Sequence, residues 1–241
     1  MRKSVENFIS ENDSFTTGEF ARMLMAERPD LGRSTVYGQL ARLCRSGRIV
    51  RIQKGRYASA ARKNYSYELS EKAREIASSI LNQYPSVNFQ IWELDQLNEF
   101  VNHLLIRNTI FIEAESGLDE SLFNLLFEQY PHVLHNPRRE EYFKYAGTET
   151  IVVRKLTSET PPPYGKNRQA SLEKILVDLF GRGIARSLVS PEEYRVIYED
   201  AFRAYRINQA KMFRYARRRG VEDAILDFIY EKTNIALEED K

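Results

Sequence analysis

Between Leu31 and Tyr67 the chain carries Arg33, Arg42, Arg45, Arg48, Arg51, Lys54, Arg56, Arg62 and Lys63, and not one acidic residue. Ser34, Thr35 and Gln39 are interleaved with them, and such side chains donate or accept hydrogen bonds at base edges. Cations at this density neutralise phosphates, which gives affinity without sequence reading. The chemistry this stretch can do is recognition of double-stranded DNA. The competing readings are a solvated basic face and a module used for protein contacts. The charge is unevenly divided along the chain. Residues 1–63 hold 13 Lys and Arg against 6 Asp and Glu, whereas the remainder holds 23 against 28. A basic first quarter joined to an acidic remainder points to two parts with different tasks.

Other chemistry is harder to assemble. Glu113 and Glu115 close the run Thr109-Ile110-Phe111-Ile112-Glu113-Ala114-Glu115, and Arg154-Lys155 ends a later strand pattern. Acids on one strand and a lysine on the next are the ingredients of a metal-dependent nuclease. That arrangement wants an acid two residues before the lysine, where Val153 stands, so these groups are expected as strand-end charges in solvent. No Ser/His or Cys/His motif and no glycine-rich phosphate loop is present. Cys44 and the histidines at 103, 132 and 135 are too scattered for a structural zinc site. A lone cysteine also excludes an internal disulfide, and Cys44 reads as a small apolar group. The expectation is therefore no catalytic residue, no metal ligand and no cofactor. A second basic and aromatic stretch, Arg195, Tyr198, Arg203, Tyr205, Arg206, Arg214 and Tyr215, suits an interface or a solvated helix pair.

The elements that must position the basic stretch follow from periodicity. Val5, Phe8 and Ile9 predict a first helix over 3–11, broken by Asn12-Asp13-Ser14. Thr16 or Thr17 caps a second helix through Phe20, Leu24 and Met25. Pro29-Asp30-Leu31-Gly32 is turn chemistry. Ser34 then caps a third helix whose core stripe is Val36, Leu40 and Leu43, so that Thr35, Gln39, Arg42 and Arg45 point outward and Tyr37 packs in the core or turn. Gly47 stops it. Arg48 to Ile52 and Arg56 to Ala58 read as two strands joined by Gln53-Lys54-Gly55. Two helices across a turn and then a hairpin describe a winged helix-turn-helix, whose second helix enters the major groove. Arg33, Ser34, Thr35, Gln39, Arg42 and Arg45 are the expected base-reading surface. Arg51, Lys54 and Arg56 are the expected phosphate contacts.

Past residue 63 the pattern changes. Leu69, Ala73, Ile76, Ala77 and Ile80 predict a connecting helix within 64–87. Strands are expected at 88–92, 109–114 and 150–155, with a helix through Leu94, Leu97, Phe100, Val101 and Leu104, and another over 121–129. Thr160-Pro161-Pro162-Pro163-Tyr164-Gly165 is a loop. Helices follow over 171–180, from Pro191 through Met212 with a break near Ile207-Asn208, and over 221–230, Gly220 ending the one before it. The fold class expected is α+β: a winged helix-turn-helix over 1–63, then a larger mixed domain over 88–241 that ends in a helical bundle. The apolar runs are too short to cross a bilayer, no apolar signal core follows the first residues, and a cytoplasmic protein is expected.

The pattern Thr35-Val36-Tyr37, Leu40, Leu43, Gly47-Arg48-Ile49, Arg51, Lys54-Gly55-Arg56-Tyr57 resembles the N-terminal domain of the AbiEi-like antitoxins. Ser171-Leu172-Glu173-Lys174-Ile175-Leu176-Val177-Asp178-Leu179 is similar to a helix in the C-terminal domain of that family. The resemblance implies a repressor and antitoxin of a type IV toxin–antitoxin system in phage defence. Its partners would be operator DNA and a nucleotidyltransferase-type toxin, whose Gly-Ser signature this chain lacks, and a homodimer is open. The alternatives are a winged-helix regulator that senses a ligand through its second domain, and a DNA-targeted nuclease.

Overall fold

The first helix, α1 (Arg2–Glu11), runs into a short strand, β1 (Ser14–Thr16), and Thr16 caps α2 (Thr17–Glu27). The cap is reciprocal: Glu19 donates its backbone N–H to Thr16 Oγ1 at 3.2 Å, and Thr16 donates its own to Glu19 Oε2 at 2.7 Å. α3 (Arg33–Arg45) follows the turn at Pro29 to Gly32. Its N-cap is Gly32, two residues before the expected Ser34, which lies inside the first turn and does not cap. Gly47 (φ 62°) terminates α3 in the left-handed conformation open to glycine. β2 (Ile49–Gln53) and β3 (Arg56–Ser59) then pair antiparallel around Gly55 (φ 76°). The structure, a computed structural model, describes residues 2–12, 14–59, 64–101, 105, 107–181, 183–235 and 237; Arg62 and Lys63, and Leu104 of the helix expected after residue 93, lie outside them.

The sheet holds one strand more than expected. β1 pairs with β3, giving the order β1-β3-β2. Thr17 N–H donating to Gly55 O at 2.9 Å extends that pairing past Thr16. The three residues of β1 are too few to display an alternation, but Phe15 between them is buried. It stacks with Phe20 and Tyr57, ring centroids 5.7 and 6.1 Å apart. Val5, Ile9, Leu24, Val36, Leu40, Leu43 and Ile49 complete a separate apolar core.

The chain divides into two compact units, the first comprising residues 1–64 with two short segments at 202–206 and 236–241, the second comprising 65–201 and 207–235. In the second unit α4 (Glu71–Gln83) is capped by Ser70, whose Oγ accepts from Ala73 N–H. β4 (Phe89–Glu93) leads into a 3₁₀ turn (Leu94–Glu99) and β5 (Asn108–Ala114). The helix expected from Leu94 is thus a 3₁₀ helix that stops at Glu99. Then come α5 (Asp119–Phe127), β6 (Val133–His135), α6 (Arg139–Tyr145) and β7 (Glu149–Lys155). Neither β6 nor α6 announces itself by periodicity, being three and seven residues long. The sheet order is β4-β5-β7-β6, with β4 antiparallel to β5 and β5, β7 and β6 parallel. Past the proline loop come α7 (Leu172–Phe180), α8 (Ile184–Ser187), α9 (Pro191–Ala204), α10 (Gln209–Arg219) and α11 (Glu222–Lys232), with Gly220 (φ 65°) closing α10. The chain is mixed α+β with two sheets. None of the helices described is long and apolar enough to cross a membrane.

Alternation along the strands divides the second unit's interior. Ile91, Ile110, Ile112, Ile151 and Val153 face α4 and α5, meeting Ile76, Ile80, Leu122 and Leu126. The helix expected as a connector, α4, lies in that core. The residues between them face the other way, where Trp92 stacks on Phe111 with centroids 4.3 Å apart. Leu40→Ala in the first unit is expected to cost about 2–5 kcal/mol, the range for a truncated buried leucine. A urea melt whose midpoint does not move would show that α3 is not held by this stripe.

Candidate functional site

Burial of Val36, Leu40 and Leu43 at 2, 1 and 6% exposure fixes the rotation of α3. Arg33, Ser34, Thr35, Arg42 and Arg45 are consequently exposed, and Gln39 is half-buried at the edge of the stripe. Arg51, Lys54 and Arg56 are exposed on the β2–β3 hairpin. Among the described residues none of these six cations makes a salt bridge; the nearest such pair is Arg48 with Glu6 at 3.4 Å. Arg45 Nε donates instead to Ala41 O at 3.4 Å. Tyr37, expected as a packing residue, is 57% exposed on the same helix. It directly follows the stripe residue Val36, and the rotation of about 100° that each residue adds around the helix axis turns it off the buried face. Cys44 is half-buried, and burial pushes its thiol pKa up.

The second unit contains polar chemistry that the sequence pattern did not expose. Glu113, expected as a strand-end charge in solvent, is fully buried. Its Oε1 accepts from Arg154 Nε at 2.9 Å, Arg154 Nη2 at 2.5 Å and Lys174 Nζ at 2.7 Å. Lys174 Nζ also donates to Asp178 Oδ2 at 2.5 Å, and Arg154 Nη2 reaches the same oxygen at 3.1 Å. Asp178 Oδ1 accepts from Tyr215 OH at 2.9 Å and lies 3.4 Å from Arg219 Nη1. Strand register puts Glu113 opposite Arg154, and helical spacing puts Lys174 one turn before Asp178. Trp92 and Phe111 form the floor, with Lys174 Nζ 5.9 Å from the indole and the Arg154 guanidinium 5.3 Å from the phenyl centroid.

Each charge here is set by its neighbours. Burial opposes ionisation of Asp178, but Lys174, Arg154 and Arg219 outweigh it and hold the carboxyl well below the usual range. Burial likewise opposes the charge on Lys174, and Asp178 and Glu113 outweigh it, so its pKa stands above the ordinary value. Burial pushes Tyr215 up to about 12, keeping it a neutral donor. Glu115, by contrast, is exposed and accepts from Asn88 N–H at 3.1 Å. Glu113 and Glu115 therefore do not converge, and the cation between Glu113 and Asp178 is the Lys174 ammonium. The described residues hold no group of three or more metal-ligating side chains. Tyr198 and Tyr215, expected on an interface or in solvent, are interior: Tyr198 OH donates to Leu176 O at 2.8 Å. Lys174 and Asp178 were legible as a misfit, since α7 is otherwise almost wholly apolar and a buried charge requires a partner.

The chain belongs to a family of unknown function, DUF6577, whose match runs from residue 35 in α3 to residue 235 beyond α11. No curated protein matches it significantly.

Lys174→Met should cost about 3–5 kcal/mol, because it removes one buried partner of Glu113 and Asp178 and leaves their charge incompletely compensated. Asp178 is depressed, so its contribution is complete above the ordinary aspartate value of about 3.9 and is lost as pH falls toward the depressed one. Lys174 is raised, so its contribution is complete below its ordinary value and is lost only as pH rises through the raised one. Urea midpoints measured from neutral to acid pH should fall less steeply in Asp178→Asn than in the parent; parallel curves would remove Asp178 from the acid transition.

Proposed function

We propose that the first unit is a winged helix-turn-helix that binds double-stranded DNA, with α3 as the recognition helix and the β2–β3 hairpin as the wing. The observation that carries this reading is the exposure of Arg33, Arg42, Arg45, Arg51, Lys54 and Arg56 without an ion-pair partner among the described residues, on two adjacent elements anchored by the buried Val36, Leu40, Leu43, Ile49 and Tyr57. Cations left unpaired by their own protein are free to replace the counterions of a phosphate backbone. Arg42, Thr35 and Gln39 have the reach and the donors for base edges, and Arg33, Ser34 and Arg45 flank them. Tyr37 joins that face as an aromatic contact. Arg51, Lys54 and Arg56 grip phosphates.

The resemblance to AbiEi-like antitoxins supports a cytoplasmic repressor whose second unit acts on a partner, a nucleotidyltransferase-type toxin or a second copy of the chain. The nuclease alternative has less support, because the buried acid it would use is already saturated on one oxygen by Arg154 and Lys174. The ligand-sensing alternative is not favoured by the cleft along α4, which is open and polar, lined by Arg74, Glu75, Asn82 and Gln129 among others.

Binding to the DNA upstream of its own gene, compared with scrambled DNA over a salt series, tests the reading. Arg42→Ala should lose about 1–3 kcal/mol of discrimination between the two DNAs. Arg51→Ala or Lys54→Ala should weaken both equally and lower the salt slope by about 1. If the parent binds neither DNA at low salt, the first unit is a protein-interaction module. The antitoxin role is tested separately, by whether co-expression relieves growth arrest caused by the product of the adjoining gene.

A further inference from the structure

The carboxyl ends of β5 and β7 lie side by side, yet the chain leaves them toward opposite faces of the sheet. From β5 it passes to α5, whose Leu122 and Leu126 pack with Ile112 and Val153. From β7 it passes to α7, whose Lys174 and Asp178 meet Glu113 and Arg154 on the other face. Neighbouring parallel strands whose connections diverge open a crevice at their carboxyl ends, and in open α/β sheets ligands bind there. Glu113 and Arg154 are the penultimate residues of the two strands and stand opposite each other.

The polar groups at that crevice are not fully used. Glu113 Oε2 is buried and has no hydrogen-bond partner. Arg154 commits Nε and Nη2 to carboxylates, leaving Nη1 without an acceptor among the described residues. Arg219 commits Nη1 to Thr157, Tyr215 and Asp178, leaving Nη2 likewise. Both free edges lie against glycine. A Cβ on Gly183 would come within 2.9 Å of Arg154 Nη1, and one on Gly181 within 2.6 Å of Arg219 Nη2. The two side chains are mostly buried, at 15% and 18% exposure. Arg154, Lys174 and Arg219 against Glu113 and Asp178 leave one positive charge in excess. One guanidinium fork satisfies a carboxylate; two forks from different directions suit the several oxygens of a phosphoryl group.

We propose that the crevice between β5 and β7 binds a small phosphorylated ligand, gripped by the free edges of Arg154 and Arg219 beside Gly181 and Gly183, with Glu113 Oε2 accepting a hydroxyl hydrogen from it. Every group involved belongs to the second unit, so the assignment is independent of the DNA-binding reading.

Titration calorimetry of the full chain with inorganic phosphate and with adenosine monophosphate tests it. Saturable binding is expected, weakened about ten-fold or more in Arg219→Gln and in Gly183→Ala, the scale of one charge-assisted hydrogen bond or more. Gly183 has φ −81°, which alanine adopts freely, so Gly183→Ala probes the space without straining the backbone. Equal affinity for the two probes would identify the phosphoryl group alone as the ligand's recognised part, and tighter nucleotide binding would extend the site to a nucleoside; both support it. The proposal is overturned if neither probe binds saturably, or if affinity survives both substitutions in folded protein. It is also overturned if Arg42→Ala with Lys54→Ala abolishes binding, because the anion would then sit on the basic face of the first unit.

Discussion

The Lys174 ammonium sits between two carboxylates with no water-exposed surface of its own, and that contact constrains most of the second unit. Removing an ammonium and two carboxylates from water costs several kcal/mol for each ion, so the site is tenable only when all its members arrive together. They come from β5, β7, α7 and α10, which are far apart in sequence. A slip of one residue between β5 and β7 would turn Glu113 or Arg154 into the apolar layer occupied by Ile112 and Val153. The ion network thus disfavours the same one-residue slip that the alternation of the surrounding Ile and Val side chains disfavours. Its aromatic floor adds attraction for both cations without adding a competing hydrogen-bond partner.

The first unit solves the opposite problem. Its described interior is apolar, built on Phe15, Phe20, Leu24, Leu40 and Ile49, and Arg33, Arg42, Arg45, Arg51, Lys54 and Arg56 are turned outward without a salt bridge among the described residues. Crowded like charges on a surface repel one another and lower stability, a cost that an anionic partner would offset. The two units therefore use charge differently: in one it organises the interior, in the other it is displayed. The family match begins within α3 and spans the hairpin together with the second unit, so both uses of charge fall within one family.

Much of this was legible in the amino-acid sequence. The stripe Val36, Leu40, Leu43 determines which way α3 faces, and with it the exposure of Arg33, Arg42 and Arg45, because a helix has one period and one core side. Thr16 with Glu19, Gly47, Ser171 and Gly220 mark helix ends through hydrogen bonds and backbone freedom that act within four residues. What acts locally can be read locally. Strand β1, strand β6 and the fate of Glu113 could not be. Three residues carry no period, and their pairing partners, 42 residues on for Phe15 and 18 for Val133, are chosen by the sheet as it assembles. A glutamate at the end of an apolar strand reads as a solvent-facing charge until a lysine sixty-one residues later and an arginine forty-one residues later are brought against it. Only the tertiary structure decided that, because the electrostatic energy that makes a buried charge tolerable depends on distance in space and not on separation along the chain.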